Sequence, residues 1–197
     1  MKIAVFASGT GSNAEALINA SIANQLGGEV VLLISDKPGA GALAKAEGYG
    51  VQSMALAPKS FTSKAEYEAE VVARLQDHDV DFLCLAGYMR LVGPTLLHAY
   101  EGRIVNIHPS LLPDFPGLDA VGQALEAGVS ETGVTIHFVD AGMDTGPIIA
   151  QKKVSIEAGD TNESVLQKIQ AVEHELYPRT IKQIMESNDL GGDGHNE

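Results

Sequence analysis

The chain has 197 residues, 45% of them apolar, enough for one domain with a buried core and no need of a metal or disulfide to hold it. Its 13 basic and 26 acidic residues give a net charge of −13, which argues against sequence-independent nucleic-acid binding and against an anionic membrane surface, since both need clustered Lys and Arg. The one cysteine, Cys84, excludes an intramolecular disulfide.

Residues 2–7 form a short apolar run that ends at Ser8-Gly9-Thr10-Gly11 and reads as a strand. Residues 12–26 read as a helix, with Ala16, Leu17, Ala20 and Ala23 at helical spacing and Gly27-Gly28 as the stop. A strand over 30–35, a short helix over 41–47 closed by Gly48, and a strand over 51–56 follow. An amphipathic helix spans 63–76, capped by Ser63 with Glu66 three residues on, and its acidic face of Glu66, Glu68 and Glu70 reads as solvated surface. Residues 80–86 are a fully apolar strand in which Cys84 reads as a small core residue, and 104–107 are another strand. Then come a helix over 120–127, a strand over 134–139 and an extended stretch over 148–156. A long helix starts near Asp160 with Glu163 completing a capping pair, and Pro178 should kink or split it before Met185.

Strands rich in Val, Ile and Leu, alternating with helices, predict an α/β fold: a single doubly wound, mostly parallel, Rossmann-like sheet with helices on both faces. One domain over 1–187 is expected, with a Gly- and Asp-rich disordered tail over 188–197. No apolar stretch approaches 18 residues and no charged-then-apolar leader is present, so the cytoplasm is the expected compartment. No Cys/His spacing suggests a zinc site, and no metal is expected.

Three irregular segments leave strand ends, where open α/β sheets bind ligands. Gly9-Thr10-Gly11-Ser12-Asn13 joins the first strand to the first helix, and glycines with a free helix N-terminus suit a phosphate. Gly9, Gly11 and Ala14 also fit a dinucleotide fingerprint, with Asp36 as a candidate ribose-binding acid. Asn106-Ile107-His108 ends a strand, so period-2 geometry puts Asn106 and His108 on one face while Ile107 turns to the core. A carboxamide beside an imidazolium can hold a developing oxyanion. An isolated imidazole is only about a quarter protonated at pH 7, so a carboxylate is wanted beside it. Asp144 and Asp140 are the candidates, and spacing alone does not choose between them.

Asn106-Ile107-His108-Pro109-Ser110-Leu111-Leu112-Pro113, with Asp144-Thr145-Gly146-Pro147-Ile148, resembles the signature of the folate-dependent formyltransferases. Gly9-Thr10-Gly11-Ser12-Asn13 and Phe115-Pro116-Gly117 resemble the branch that serves purine biosynthesis, and the likeness runs from Lys2 to about Met185. The resemblance implies direct transfer of a formyl group from 10-formyltetrahydrofolate to the amine of glycinamide ribonucleotide. It implies that His108 is the general acid, that Asn106 and His108 hold the tetrahedral oxyanion, and that Asp144, in preference to Asp140, favours imidazolium and relays a proton through water. It assigns the substrate phosphate to Gly11, Ser12 and Asn13, and the glycinamide moiety to Glu173, one turn from Gln170. The folate would meet Met89, Arg90, Leu91 and Val92, with Asn106 beside it and residues 139–144 against the pterin. Lys64 stands where the family often has Arg, which keeps the charge and loses the bidentate geometry. Asp119 and Val121 stand where the family often has His. His137, on a face with Thr135 and Val139, reads as a supporting residue; His174 stays open, and His78, His98 and His195 read as surface. Partners are small molecules, with a monomer or weak homodimer expected.

Rivals within that chemistry are an initiator-tRNA formyltransferase, which carries a further RNA-binding domain and suits a less acidic chain, and a formylfolate hydrolase, which carries an extra N-terminal domain. Outside it stand an NAD-dependent dehydrogenase, which leaves the Pro-rich His108 loop without a role, and a non-catalytic folate or nucleotide-binding module, which would not require Asn106, His108 and Asp144 together.

Overall fold

The computed structural model describes residues 1–190. Its strands form one sheet in the order β3-β2-β1-β4-β5-β6-β7, seven among the described residues. They are β1 (Lys2–Phe6), β2 (Glu29–Ser35), β3 (Gln52–Ala55), β4 (Phe82–Leu85), β5 (Ile104–His108), β6 (Glu131–Phe138) and β7 (Ile148–Ser155). The helices are α1 (Ser12–Ile22), α2 (Gly41–Gly48), α3 (Lys64–Asp77), α4 (Pro94–Ala99), α5 (Ala120–Glu126) and α6 (Asn162–Leu190). β1 to β5 pair in parallel, and β6 is antiparallel to both β5 and β7.

Alternation along each strand divides the core between the two faces. Ile3, Val5, Leu33, Cys84, Val105 and Ile107 pack with α1, α2, α5 and α6 on one side. Ala4, Phe6, Leu32, Leu83 and Ile104 pack with Tyr67, Val71 and Leu75 of α3 and Leu96 of α4 on the other. Cys84 is fully buried, and burial pushes its thiol well above the ordinary range, as a core residue requires. Among the described residues no helix is long and apolar enough to cross a membrane.

The structure moves several expected boundaries. α1 stops at Ile22, short of the expected 26, because Asn24 turns left-handed and Gln25 N–H bonds back to Ala20 O. α6 runs unsplit through Pro178 to Leu190, past the expected boundary at 187, and the tail from 191, with His195, lies outside the described residues. The proline's lost hydrogen bond is offset by burial on both sides of it, at Leu176, Tyr177, Ile181 and Met185. Tyr177 also donates its hydroxyl to Leu85 O at 2.8 Å. The capping pair of α6 is Thr161 with Ser164, each side-chain oxygen accepting from the other's N–H, in place of Asp160 with Glu163.

Glu68 corrects the expected solvated face of α3. It is buried, and its Oε2 accepts from Gly93 N–H at 3.2 Å and Leu96 N–H at 2.9 Å, capping the short helix α4. Glu66 stays exposed at the start of α3, where Ser63 is the N-cap as expected.

Candidate active site

A cavity of about 750 Å³ opens over the loops that follow β1, β4 and β5. The strand order reverses between β1 and β4, so this is the switch point of the sheet. At its β1 wall the chain turns into α1 through Gly11, which has φ 78°. A Cβ there would stand 2.6 Å from the Ala42 Cβ, so only glycine fits. No side chain caps α1, which leaves its first-turn N–H groups for a ligand at the positive end of the helix. Gly11, Ser12 and Asn13 all line the cavity. The Asn13 amide is turned inward: Nδ2 donates to Glu173 Oε2 at 2.9 Å, while its buried Oδ1 has no protein partner. Glu173 and Gln170 reach the same cavity from α6. Burial raises the Glu173 carboxyl above its ordinary value, and the Asn13 amide only partly counters this.

Asn106 and His108 share the face of β5 opposite Val105 and Ile107, as the alternation requires, and both line the cavity. The antiparallel register sets Asn106 directly opposite His137 and His108 opposite Thr135. His137 Nδ1 donates to Phe138 O at 2.8 Å, so its Nε2 is the lone-pair nitrogen that accepts from Asn106 Nδ2 at 3.2 Å. That contact uses one amide N–H of Asn106 and fixes the plane of the other. His137 is thus a support for Asn106, as its place on β6 suggested.

His108 is buried, and both of its ring nitrogens face acceptors. Nε2 donates to Phe115 O at 2.9 Å, and Nδ1 lies 3.5 Å from Asp144 Oδ2. A second proton, on Nδ1, would satisfy both. The Asp144 separation exceeds a charge-assisted hydrogen bond, so a proton on Nδ1 would be attracted to the carboxylate without being consumed by it. Asp144 also accepts from Gly117 N–H at 2.8 Å and lies 3.8 Å from His137 Nε2.

The route that brings Asp144 here differs from the simple picture of a loop leaving the mouth of the sheet. Because β6 runs against β5, its loop departs beside the start of β5, where Val139 N–H bonds to Ile104 O. It then folds back to deliver Asp144 to His108 at the far end of β5. Asp140, the rival carboxylate, shapes this loop: it accepts from Thr145 Oγ1 at 2.7 Å and Gly142 N–H at 2.9 Å, which hold it below the ordinary range. It does not line the cavity.

Met89, Arg90, Leu91 and Val92 line another wall, with Tyr88 before them. Ser8 ties this wall to the β1 loop: its Oγ accepts from Met89 N–H at 2.9 Å and donates to Asp36 Oδ1 at 2.6 Å. Asp36 is buried in that contact and does not line the cavity, so a dinucleotide would find no ribose-binding acid there. The Arg90 guanidinium lies over the Tyr67 ring at 5.4 Å. Lys64 is not brought to the wall; it is exposed at the first position of α3, with its Cε near Gly93. Asp119 caps α5 through Gly122 N–H and lines the cavity, as does the buried Val121. His174 is exposed on α6, His98 is exposed, and His78 accepts a half-buried place at the end of α3.

Sequence reading missed Lys37, which lines the cavity directly after β2 and follows the same strand-end rule as the other site loops. It also missed the anchor of the Pro-rich loop. Thr135 Oγ1 donates to Ser110 O at 2.7 Å and accepts from Leu112 N–H, and Gln151 Nε2 donates to Leu112 O. These contacts depend on the register of β6 and β7 and leave no trace in local sequence.

The chain matches the family model described as formyl transferase over residues 1–181. It is 51% identical over 190 residues to the phosphoribosylglycinamide formyltransferase of Bacillus subtilis (strain 168), covering 96% of this chain and 97% of that one. Against the enzyme of the same name from Escherichia coli (strain K12) the identity is 40% over 181 residues, covering 92% and 85%. The crystal structure of phosphoribosylglycinamide formyltransferase from Bacillus halodurans superposes with a TM-score of 0.93 at 59% identity, covering 95% of this chain and 97% of that one.

Proposed function

Because the chain belongs to the formyl transferase family and is a formyltransferase of purine biosynthesis, we propose that it carries the formyl group of 10-formyltetrahydrofolate to the glycyl amine of glycinamide ribonucleotide, with Asn106, His108 and Asp144 as its catalytic set. Residues 1–187 act as the catalytic domain, as a monomer or weak homodimer in the cytoplasm, without a metal.

The substrate phosphate sits on the first turn of α1, at Gly11, Ser12 and Asn13, with Lys37 as a nearby counter-charge. Glu173 and Gln170 hold the glycinamide side. The folate lies along residues 89–92 and the 139–144 loop, next to Asn106. The amine lone pair forms a bond to the formyl carbon, and the carbonyl π electrons move onto its oxygen. The free N–H of Asn106 and the Nδ1–H of His108 hold that oxyanion, where each such donor is worth about 3 kcal/mol. The oxyanion pair then re-forms the carbonyl as the carbon–N10 bond breaks, its electron pair goes to N10, and the proton released by the amine reaches N10 with Asp144 relaying it through a water.

The observation that carries this reading is the joint placement of the three groups in one cavity. His108 stands 3.5 Å from Asp144, and Asn106 is fixed by His137 at 3.2 Å. The test is to mix the purified protein with 10-formyltetrahydrofolate and glycinamide ribonucleotide and follow folate absorbance. Stoichiometric formylation of the amine is expected, and it should collapse in Asn106→Ala and His108→Ala. Absence of transfer by folded protein, or tight binding of NADH in its place, would refute the proposal.

A further inference from the structure

The segment between the Pro-rich loop and α5 has a costly backbone. Phe115 and Asp119 have φ 52° and Gly117 has φ 80°, so three of five consecutive residues are left-handed. For a bulky aromatic residue that conformation is rare, and it persists only where the surroundings over-determine it. Asp114 O accepts from Ser110 Oγ at 2.6 Å, Phe115 O from His108 Nε2 at 2.9 Å, and Gly117 N–H donates to Asp144 Oδ2 at 2.8 Å. The carbonyls on either side of Gly117 go to a single group: Gln123 Nε2 donates to Pro116 O at 3.0 Å and to Leu118 O at 2.8 Å. Gln123 is half-buried on α5 and does not line the cavity.

We propose that Gln123 is a positioning residue for formyl transfer: its amide clamps the Pro116 and Leu118 carbonyls and so holds Phe115 O against His108 and Gly117 N–H against Asp144. The proposal rests on the roles given above to His108 and Asp144. A primary amide has two N–H donors, and the clamp uses both, one per carbonyl. The clamp is itself anchored to the segment it holds, since Gln123 N–H bonds to Asp119 O at 2.9 Å. Without the two donors the path over 115–118 loses the contacts that bracket Gly117. The imidazole and the carboxylate then lose the backbone groups that orient them. A drift of about 1 Å in such groups costs up to roughly 10²-fold in rate.

Gln123→Met keeps the length and removes both donors; Gln123→Lys returns a donor. Both are measured for kcat, for each KM and for Tm, alone and, for Gln123→Met, in a His108→Ala background. Gln123→Met should lower kcat by about 10-fold to 10²-fold, with the ribonucleotide KM within about threefold, and Gln123→Lys should recover most of the loss. In His108→Ala the same change should cost clearly less than it does in the wild type, because one of the two groups it positions is gone. An equal loss in both backgrounds, or an unimpaired kcat in Gln123→Met, overturns the positioning role. Should Gln123→Met fail to fold, Gln123→Glu serves in its place, and failure of both to fold makes the residue structural and defeats the proposal. Unimpaired activity in His108→Ala would instead refute the site reading on which the proposal stands.

Discussion

Replacing Asp144 with Asn removes a charge and keeps a shape. The Asn carbonyl oxygen can still accept from Gly117 N–H, a contact of 2.8 Å in the wild type, so the loop stays in place. The loss is the attraction between carboxylate and imidazolium at 3.5 Å. At an effective dielectric of about 20, two unit charges at that distance attract by about 5 kcal/mol. Both side chains are nearly buried, so desolvation cancels part of this. A surplus of only about 1.4 kcal/mol changes the ratio of cationic to neutral ring tenfold. Losing a donor to the oxyanion costs about 3 kcal/mol, or roughly 10²-fold in rate. Asp144→Asn should therefore lower kcat by about 10²-fold while both KM values stay within about threefold. The assay is folate absorbance at pH 7.5 under saturating substrates, with Tm measured alongside. A kcat within twofold of wild type in folded protein would refute the reasoning.

Gly11→Ala forces a left-handed alanine against the Ala42 side chain. It should raise the ribonucleotide KM more than about tenfold and destabilise the fold by roughly 1–3 kcal/mol, read by titration and thermal melting; an unchanged KM would remove the phosphate from this turn. Asn13→Ala deletes the donor to Glu173 and should weaken ribonucleotide binding by about tenfold. If only the folate KM rose, the assignment of this loop would be wrong. Burial holds the Glu173 carboxyl above its ordinary 4.5, so its contribution to stability is complete below that value and is lost as pH rises through the folded-state value. Glu173→Gln escapes that loss, and its Tm relative to wild type should climb between pH 4 and pH 7; a difference independent of pH contradicts this.

What could be read from sequence was whatever depends on local period and local turn chemistry. The parallel strands β1, β2 and β4 are apolar runs, and Gly11 precedes a helix start. Asn106 and His108 fall two apart on β5, so their shared face follows from the pleat alone. The helix α4 went unread although Gly93-Pro94 announced it, because the six-residue element has no room for a full apolar stripe. The burial of Glu68 leaves no local trace, because it follows from where α4 lands against α3. Pairing facts were also out of reach. That β6 reverses, that His137 lies opposite Asn106, and that the loop over 139–147 doubles back to place Asp144 all require the register of β5 with β6. The choice between Asp140 and Asp144 came only from family likeness, and the geometry gives its reason: Asp140 spends both contacts on its own loop.

The most direct measurement is the proton count on the His108 ring. Nitrogen NMR of protein labelled at histidine, bound at pH 7 to glycinamide ribonucleotide and a folate lacking the formyl group, reads the state of each ring nitrogen. Protons on both nitrogens of His108, reduced to one in Asp144→Asn, are predicted. A single proton in both proteins would contradict a cation held ready for the oxyanion.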